Sequence, residues 1–458
     1  MTGRKGYLVL IGLAVIFFAT AAVYAVDWPQ WQGPNRDGKS ADTGLLKQWP
    51  DNGPALAWKI GELGGGDSAP SIAAGRIFVM ANRGNEEVVW CRSEADGSEI
   101  WVTPLGPAFQ QRASQGREGP ACTPTVDGDR LYVEGLAGSV ACLQVKDGKI
   151  LWQISMTEKF GGSPPMWSYR ESPLVDGDRI IVTPGGPDAI LVALNKLTGE
   201  TIWQSKMPEA PAAESNAPPA GGGFGGRRGG GRGGFGGRAG GGGAAYASPI
   251  VVDFDGQRQY VQLTARALIG VAASDGKFLW RYDKPANGMG INCTTAIFHD
   301  GTIFASSAYG AGAGLIKLAK GADGAVNAEE VYATAEMQNH HGGMILLDGY
   351  LYGATGGNEG GALACLDFKT GKVMWDLRQQ GQRRAKGALA FADGRLYYRL
   401  EDGTVILVEP DPKQYTERGR FQQPDRTRLP AWSHPVVANG KLYIRDQDTL
   451  YCYNIKAQ

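Results

Sequence analysis

Histidine is scarce in this chain, at four residues of 458, and neither a Cys-x-x-Cys-His run nor a His-Glu-x-x-His run occurs. The first absence removes a covalent haem relay, and the second removes the common zinc-hydrolase signature. No Ser, His and Asp spacing supports a serine hydrolase either. A charge surplus is also missing, since 46 Lys and Arg balance 46 Asp and Glu. Without a net field nothing draws the chain to nucleic acid, acidic polymers or an anionic membrane surface. Cysteine is sparse, with six residues and no two adjacent. What is abundant is Gly at 69 and Trp at 12. Glycine turns with periodic aromatics are the composition of repeated antiparallel sheets.

Residues 1–25 carry Arg4 and Lys5, an apolar run from Tyr7 to Ala22, and the compact end Val23-Tyr24-Ala25. That layout is a Sec-type export signal, with an uncleaved N-terminal anchor as the alternative. Either form places the folded part in the periplasm or cell envelope, and only an uncleaved segment would touch a membrane. No Cys follows the apolar run, the first being Cys91, so the lipid-attachment residue of a bacterial lipoprotein is missing.

Five segments share one frame, running to Trp101, Trp152, Trp203, Trp280 and Trp375. In each, a Gly stands four residues ahead of the Trp, at Gly97, Gly148, Gly199, Gly276 and Gly371. The Gly supplies the positive φ of a tight turn, and the Trp closing the return strand is free to dock on the neighbouring sheet. A second hairpin precedes each frame, clearest in PTVDGDRLYV from Pro124, PLVDGDRIIV from Pro173 and PVVANGKLYI from Pro435. Weaker copies bring the count to eight, at a period of about 45 to 55 residues, that of propeller blades. The expected fold is all-β: an eight-bladed β-propeller over residues 26–458, with four-stranded antiparallel blades.

The last repeat stops at Gln458, without its outermost strand. ALAWKI around Trp58 has the character of an orphan outer strand, so it is expected to pair beside Cys452 and close the ring with an N-terminal strand. Cys91, Cys142, Cys365 and Cys452 fill one slot of four different repeats, where another has Ala193. Equivalent strands of different blades lie far apart, so buried free thiols are expected and disulfides are not. Residues 206–245 break the pattern with a Gly- and Arg-rich stretch, expected to be a disordered loop with no role in nucleic-acid binding.

The frame Ala-x-Asp/Asn-x-x-Thr/Asp-Gly-x-x-x-Trp resembles the tryptophan-docking motif of pyrroloquinoline quinone (PQQ) propeller repeats. Quinoprotein alcohol dehydrogenases share it with BamB-like propellers of the outer-membrane β-barrel assembly machine. DWPQWQGPNRDG from Asp27, YRESPLVDGDR from Tyr169 and NHHGG from Asn339 are similar to exported PQQ-like proteins of planctomycete-type bacteria. The resemblance implies a BamB-like binding or assembly scaffold in the envelope, with envelope proteins or a small polar ligand as partners. Its alternative implication is a PQQ-dependent dehydrogenase of alcohols or sugars, holding PQQ with Ca²⁺ through carboxylate and amide oxygens. Enzymes of that kind usually bridge two adjacent Cys over the cofactor, and this chain has no such pair.

In a closed propeller, residues just before each innermost strand gather at one channel mouth. That slot yields the candidates Arg117, Arg170, Glu171, Asn292, His340, His341, Lys386 and His434, with Asp67 and Tyr246 beside them. Mixed acids, bases and imidazoles converging on one cavity could hold a polar ligand. His340 and His341 are adjacent and would point to opposite faces of a strand, so no metal is assigned to them. Trp167, in PPMWSYRES, is the candidate stacking platform.

Overall fold

The computed structural model describes residues 26–109, 119–208, 243–322, 324–357, 360–381 and 386–457. Residues 1–25, Arg117 and most of the Gly- and Arg-rich stretch lie outside these. At its described end Ala244 and Ala245 are buried, and the Gly243 amide donates to the Gly185 carbonyl at 2.7 Å.

Eight antiparallel sheets of four strands follow one another along the chain, an eight-bladed β-propeller. Blade 1 shows the order, with Ser71–Ala73 innermost, then Arg76–Arg83, Glu86–Ser93 and Glu99–Pro107 at the rim. The ring closes as the truncated last repeat requires. Ala55–Ile60 pairs antiparallel with Thr449–Asn454, and Trp58 lies opposite Cys452. All six cysteines are free, and Cys91, Cys142, Cys365 and Cys452 are buried.

Tryptophan docking holds adjacent blades together with a repeated geometry. The indoles of Trp101, Trp152 and Trp203 donate to the carbonyls of Val145, Lys196 and Ala273 at 3.0, 3.0 and 3.1 Å. Each ring covers the turn glycine of the next blade so closely that a Cβ on Gly148, Gly199 or Gly276 would come within 2.7 Å of it. Trp58 lies over Gly97 in the same way, and Trp375 donates to the Asp411 carbonyl at 2.8 Å.

Trp280 departs from the pattern. Blade 5 replaces the short glycine turn with a long hairpin of Gly312–Lys320 and Val326–Thr334, so no matching turn is available for it. Its N–H turns back to Gln259 Oε1 in its own blade at 2.7 Å, its ring lies over Gly270 of that blade, and it shares one apolar cluster with Ile303 and Ile316 of blade 5. Blade 5 in turn has no Trp at its rim. Tyr332 takes the role, covering Gly371 and donating to the Phe368 carbonyl at 2.8 Å.

One element goes beyond the repeats. Residues 26–42 form a strap through the central channel that reaches all eight blades. Trp28 bridges to Ile72 of blade 1, and the Pro29 carbonyl accepts from Val126 of blade 2. Lys39–Ser40 adds a short parallel strand beside Gly387–Ala392 of blade 7, Gly38 abuts Ile345 of blade 6, and Asp42 accepts from Gly440 of blade 8. Trp31 donates to Thr295 Oγ1, just ahead of blade 5, at 2.8 Å. Arg36 spans blades 3 and 4, donating to the carbonyls of Ser172 at 3.1 Å, Pro173, and Pro249 at 2.8 Å. Burial lowers its guanidinium to about 9, against the opposing pull of the Glu171 carboxylate. Blade carbonyls facing an open channel would be solvated; the strap meets them with Arg36 and its own backbone instead.

Candidate functional site

The loops ahead of the innermost strands converge on an axial cavity of about 340 Å³, with Trp31 of the strap in its lining. Each blade contributes from that one slot, and the lining includes Asp67, Ala121, Arg170, Ser248, Cys293, His340, Lys386 and His434. Val26 and Asp27 are pinned to Asn439 and Ala74 at hairpin turns on the opposite face.

Local backbone geometry aims the side chains. Ser168 takes a left-handed φ of 66°, a turn that swings Trp167 over the cavity. The Trp167 amide donates to Tyr246 Oη at 3.1 Å, and the Trp167 carbonyl accepts from Arg170 Nε at 2.6 Å. His340 and His341 lie in a bend rather than a strand, so both rings face the cavity, with centroids 4.9 Å apart. The alternation rule that would have separated them applies only to extended backbone.

The charged groups here are paired with one another. Arg170 sits 3.6 Å from Asp67. Lys386 donates to His340 Nδ1 at 2.8 Å and stands 3.7 Å from Glu401, whose carboxylate accepts from His341 Nε2 at 2.9 Å and Trp432 Nε1 at 2.7 Å. Burial pushes the Glu401 carboxyl up, but the His341 hydrogen bond, the His341 and Lys386 charges and the Trp432 N–H together hold it at about 2. Burial drops His340 to about 3, helped by His341 and Lys386. Burial also drops His434 to about 4, against the bond from its Nε2 to the His341 carbonyl. Both imidazoles are neutral at physiological pH. The Cys293 thiol, pushed up to about 12 by burial, stays protonated.

Two candidates belong to the wall rather than the lining. Glu171 turns inward, where Oε1 accepts from Thr183 N at 2.6 Å and Oε2 from Gln262 Nε2 at 3.2 Å. Asn292 is likewise inside, accepting from Asn287 N at 3.0 Å and donating to the Thr264 carbonyl at 2.8 Å. Glu171 lies against Glu134, whose oxygens have no hydrogen-bond partner among the described residues, and burial raises both carboxyls. A slot that is polar in sequence thus serves two ends, the cavity and the blade seams.

Sequence reasoning missed Trp31, Tyr309 and Trp432 as lining residues. Trp432 precedes His434 by two residues and falls in the recurrent slot, so that signal was available. Tyr309 comes from a turn within blade 5, and nothing periodic marks it. Trp31 packs at a tilt against His434 with ring centroids 4.5 Å apart, Tyr309 meets His340 edge-on at 5.1 Å, and Trp432 packs at a tilt against His341 at 5.5 Å.

A PQQ site with Ca²⁺ requires uncommitted carboxylate and amide oxygens beside a planar slot. Here Glu171 and Asn292 are bound into the wall, and Asp67 and Glu401 are held by Arg170, Lys386 and His341. Among the described residues no three His, Cys, Asp or Glu side chains are grouped to hold a metal. The residues present therefore do not fit that cofactor and its ion, and no chemical step follows from it.

Sheets of this size, docked rim to rim by aromatics around a strapped channel, define a PQQ-like repeat propeller. A family model described as PQQ_2, outer membrane protein assembly factor BamB, matches residues 85–224 and 237–377. That is more than half of the chain, which belongs to this family. The outer membrane protein assembly factor BamB of Salmonella typhimurium is 30% identical over 112 residues, 24% of this chain and 26% of that protein. Its Escherichia coli counterpart is 32% identical over 88 residues, 18% of this chain and 21% of that protein. The matches thus span about a quarter or less of those relatives' length. BamB from Moraxella catarrhalis superposes with a TM-score of 0.55 at 14% identity, covering 88% of this chain and 98% of that one. Quinohemoprotein alcohol dehydrogenase from Comamonas testosteroni gives 0.60 at 13% identity, covering 96% and 82%. At such identities the superpositions establish the fold alone.

Proposed function

We propose that this protein is an exported BamB-like propeller that serves as a binding or assembly scaffold in the cell envelope, with the axial mouth as its contact point. The observation that carries the reading is the mutual pairing of the charges there. Arg170 with Asp67, and Lys386 and His341 with Glu401, leave no uncommitted carboxylate among the described lining residues, either as a base for proton transfer or as part of an oxygen cage for a quinone's metal. What remains is a rigid ring with an aromatic recess whose charged groups are paired, an arrangement suited to recognition. The family match supports a partner among envelope assembly proteins, and the leader-like residues 1–25 support export.

The test is site-specific photo-cross-linking in the source bacterium. A photoreactive residue at Met166 or Met289, exposed and next to or near the lining residues Trp167 and Ile291, is expected to capture envelope proteins. The same residue at Val331, on the rim of blade 5, is expected to capture none. Equal capture from rim and mouth would move the contact elsewhere. Dye reduction by the purified protein with alcohols, dependent on added PQQ and Ca²⁺, would overturn the scaffold reading in favour of the dehydrogenase.

A further inference from the structure

We infer that the axial cavity is a binding site for one uncharged pyranose ring, the terminal unit of a saccharide. This rests on reading the mouth as a recognition site and names what it recognises.

Three observations lead there. The lining carries three indoles, Trp31, Trp167 and Trp432, together with the phenols Tyr246 and Tyr309. A pyranose presents C–H groups on its faces, which stack on the electron-rich face of an aromatic ring, while its hydroxyls point outward round the edge. Polar side chains, among them Ser248, His340 and Lys386, line the same cavity as those aromatics. With Nδ1 accepting from Lys386, His340 carries its proton on Nε2 at neutral pH, a donor for a hydroxyl oxygen. Tyr246 Oη, which accepts from the Trp167 amide, keeps its own hydrogen to give.

Charge decides between sugar and acid. Arg170 is paired with Asp67, Glu401 is shared by Lys386 and His341, and His340 and His434 are neutral. An anionic ligand would have to draw Arg170 or Lys386 out of its existing pair, at a cost that offsets the new contact. A neutral polyol makes its hydrogen bonds without disturbing either pair. Size agrees: 340 Å³ lies near the lower end of ligand pockets, which run from about 300 to 1,000 Å³. One ring, or two with the second projecting from the mouth, fits that space.

The experiment is saturation-transfer NMR and calorimetry on the purified protein with methyl β-D-glucopyranoside, methyl N-acetyl-β-D-glucosaminide, chitotetraose and glucuronate. The expected result is binding of at least one neutral probe with Kd on the order of 1 mM or tighter. Glucuronate is expected to bind at least about tenfold more weakly than the neutral glucoside, because it meets charges already paired. Trp167→Ala, on a surface turn, is expected to weaken binding at least about tenfold at unchanged melting temperature, and Trp167→Phe to restore part of it. A terminal-unit site binds chitotetraose about as well as the monosaccharide glycoside. Silence from every neutral probe, glucuronate binding as tightly as the glucoside, or a Trp167→Ala variant that binds normally would each overturn the inference. Failure here leaves cross-linking from the mouth to envelope proteins intact, and failure of the cross-linking leaves saccharide binding intact, so the two ideas fall separately.

Discussion

Glu87 offers a sharp test of how burial is tolerated at a blade seam. It sits in the third strand of blade 1, 4% exposed, and accepts from the Leu136 amide of blade 2 at 3.0 Å. Burial pushes its carboxyl up from 4.5 to about 7, and the Leu136 hydrogen bond offsets only part of that. Below about pH 4.5 both folded and unfolded chains hold the proton and the group is neutral to stability. Between about pH 4.5 and 7 the unfolded chain releases it and the folded chain does not, so its contribution to stability falls as pH rises. Above that window the folded protein carries a buried carboxylate, at a cost of about 3 kcal/mol for a shift of this size.

Glu87→Gln keeps an oxygen for Leu136 and cannot ionise. The variant is expected to match the wild type near pH 4.5 and to exceed it by about 2–3 kcal/mol near pH 8. The raw profiles will be mixed, because His340 and His434, held neutral by burial, add stability that is lost as pH falls from about 6.5. The neighbouring acid Glu134 is raised as well, so its contribution also falls as pH rises above about 4.5 and keeps falling to higher pH. Subtracting the two urea-unfolding profiles removes both contributions to first order. A difference that is flat with pH, or largest in acid, would refute the assignment of a protonated Glu87 to the folded state.

Arg36→Met removes the donor shared by the Ser172, Pro173 and Pro249 carbonyls, and is expected to lower stability by about 3–5 kcal/mol in denaturant melts. Gly177→Ala meets open space at a φ of 60° and should cost about 1 kcal/mol in strain, whereas Gly199→Ala at 73° must also move the Trp152 ring and should cost about 1–2 kcal/mol more. Excising residues 220–239, a stretch with almost no apolar side chain to bury, is expected to leave the melting temperature unchanged in calorimetry. Acid should weaken the cavity's pairing: below about pH 4, protonation of His434 places a second cation near Arg399, and its tryptophan neighbour Trp31 should report the change by fluorescence.

The propeller could be deduced from the sequence because its signals are local and repeated. A glycine four residues before a tryptophan specifies a turn and a docking ring wherever it occurs, and five copies outweigh the weaker repeats. Ring closure was legible for the same reason: a blade missing its last strand at Thr449–Asn454 needs a partner, and only Ala55–Ile60 had the matching aromatic. The clustering of Arg170, His340, His341, Lys386 and His434 at one mouth followed from their common slot. Tertiary structure alone decided the rest. Whether a loop side chain faces the channel or the seam depends on φ and ψ at each residue, which no periodicity constrains. Glu171 and Arg170 therefore part company one residue apart, while His340 and His341, expected to diverge, converge. Trp280 lost its docking turn because the neighbouring hairpin lengthened, and Tyr332 supplies the docking ring at the next seam. The strap carries no repeat to betray its path, and its place in the channel is set by carbonyls from blades more than a hundred residues away, which Arg36 satisfies only once the ring has formed.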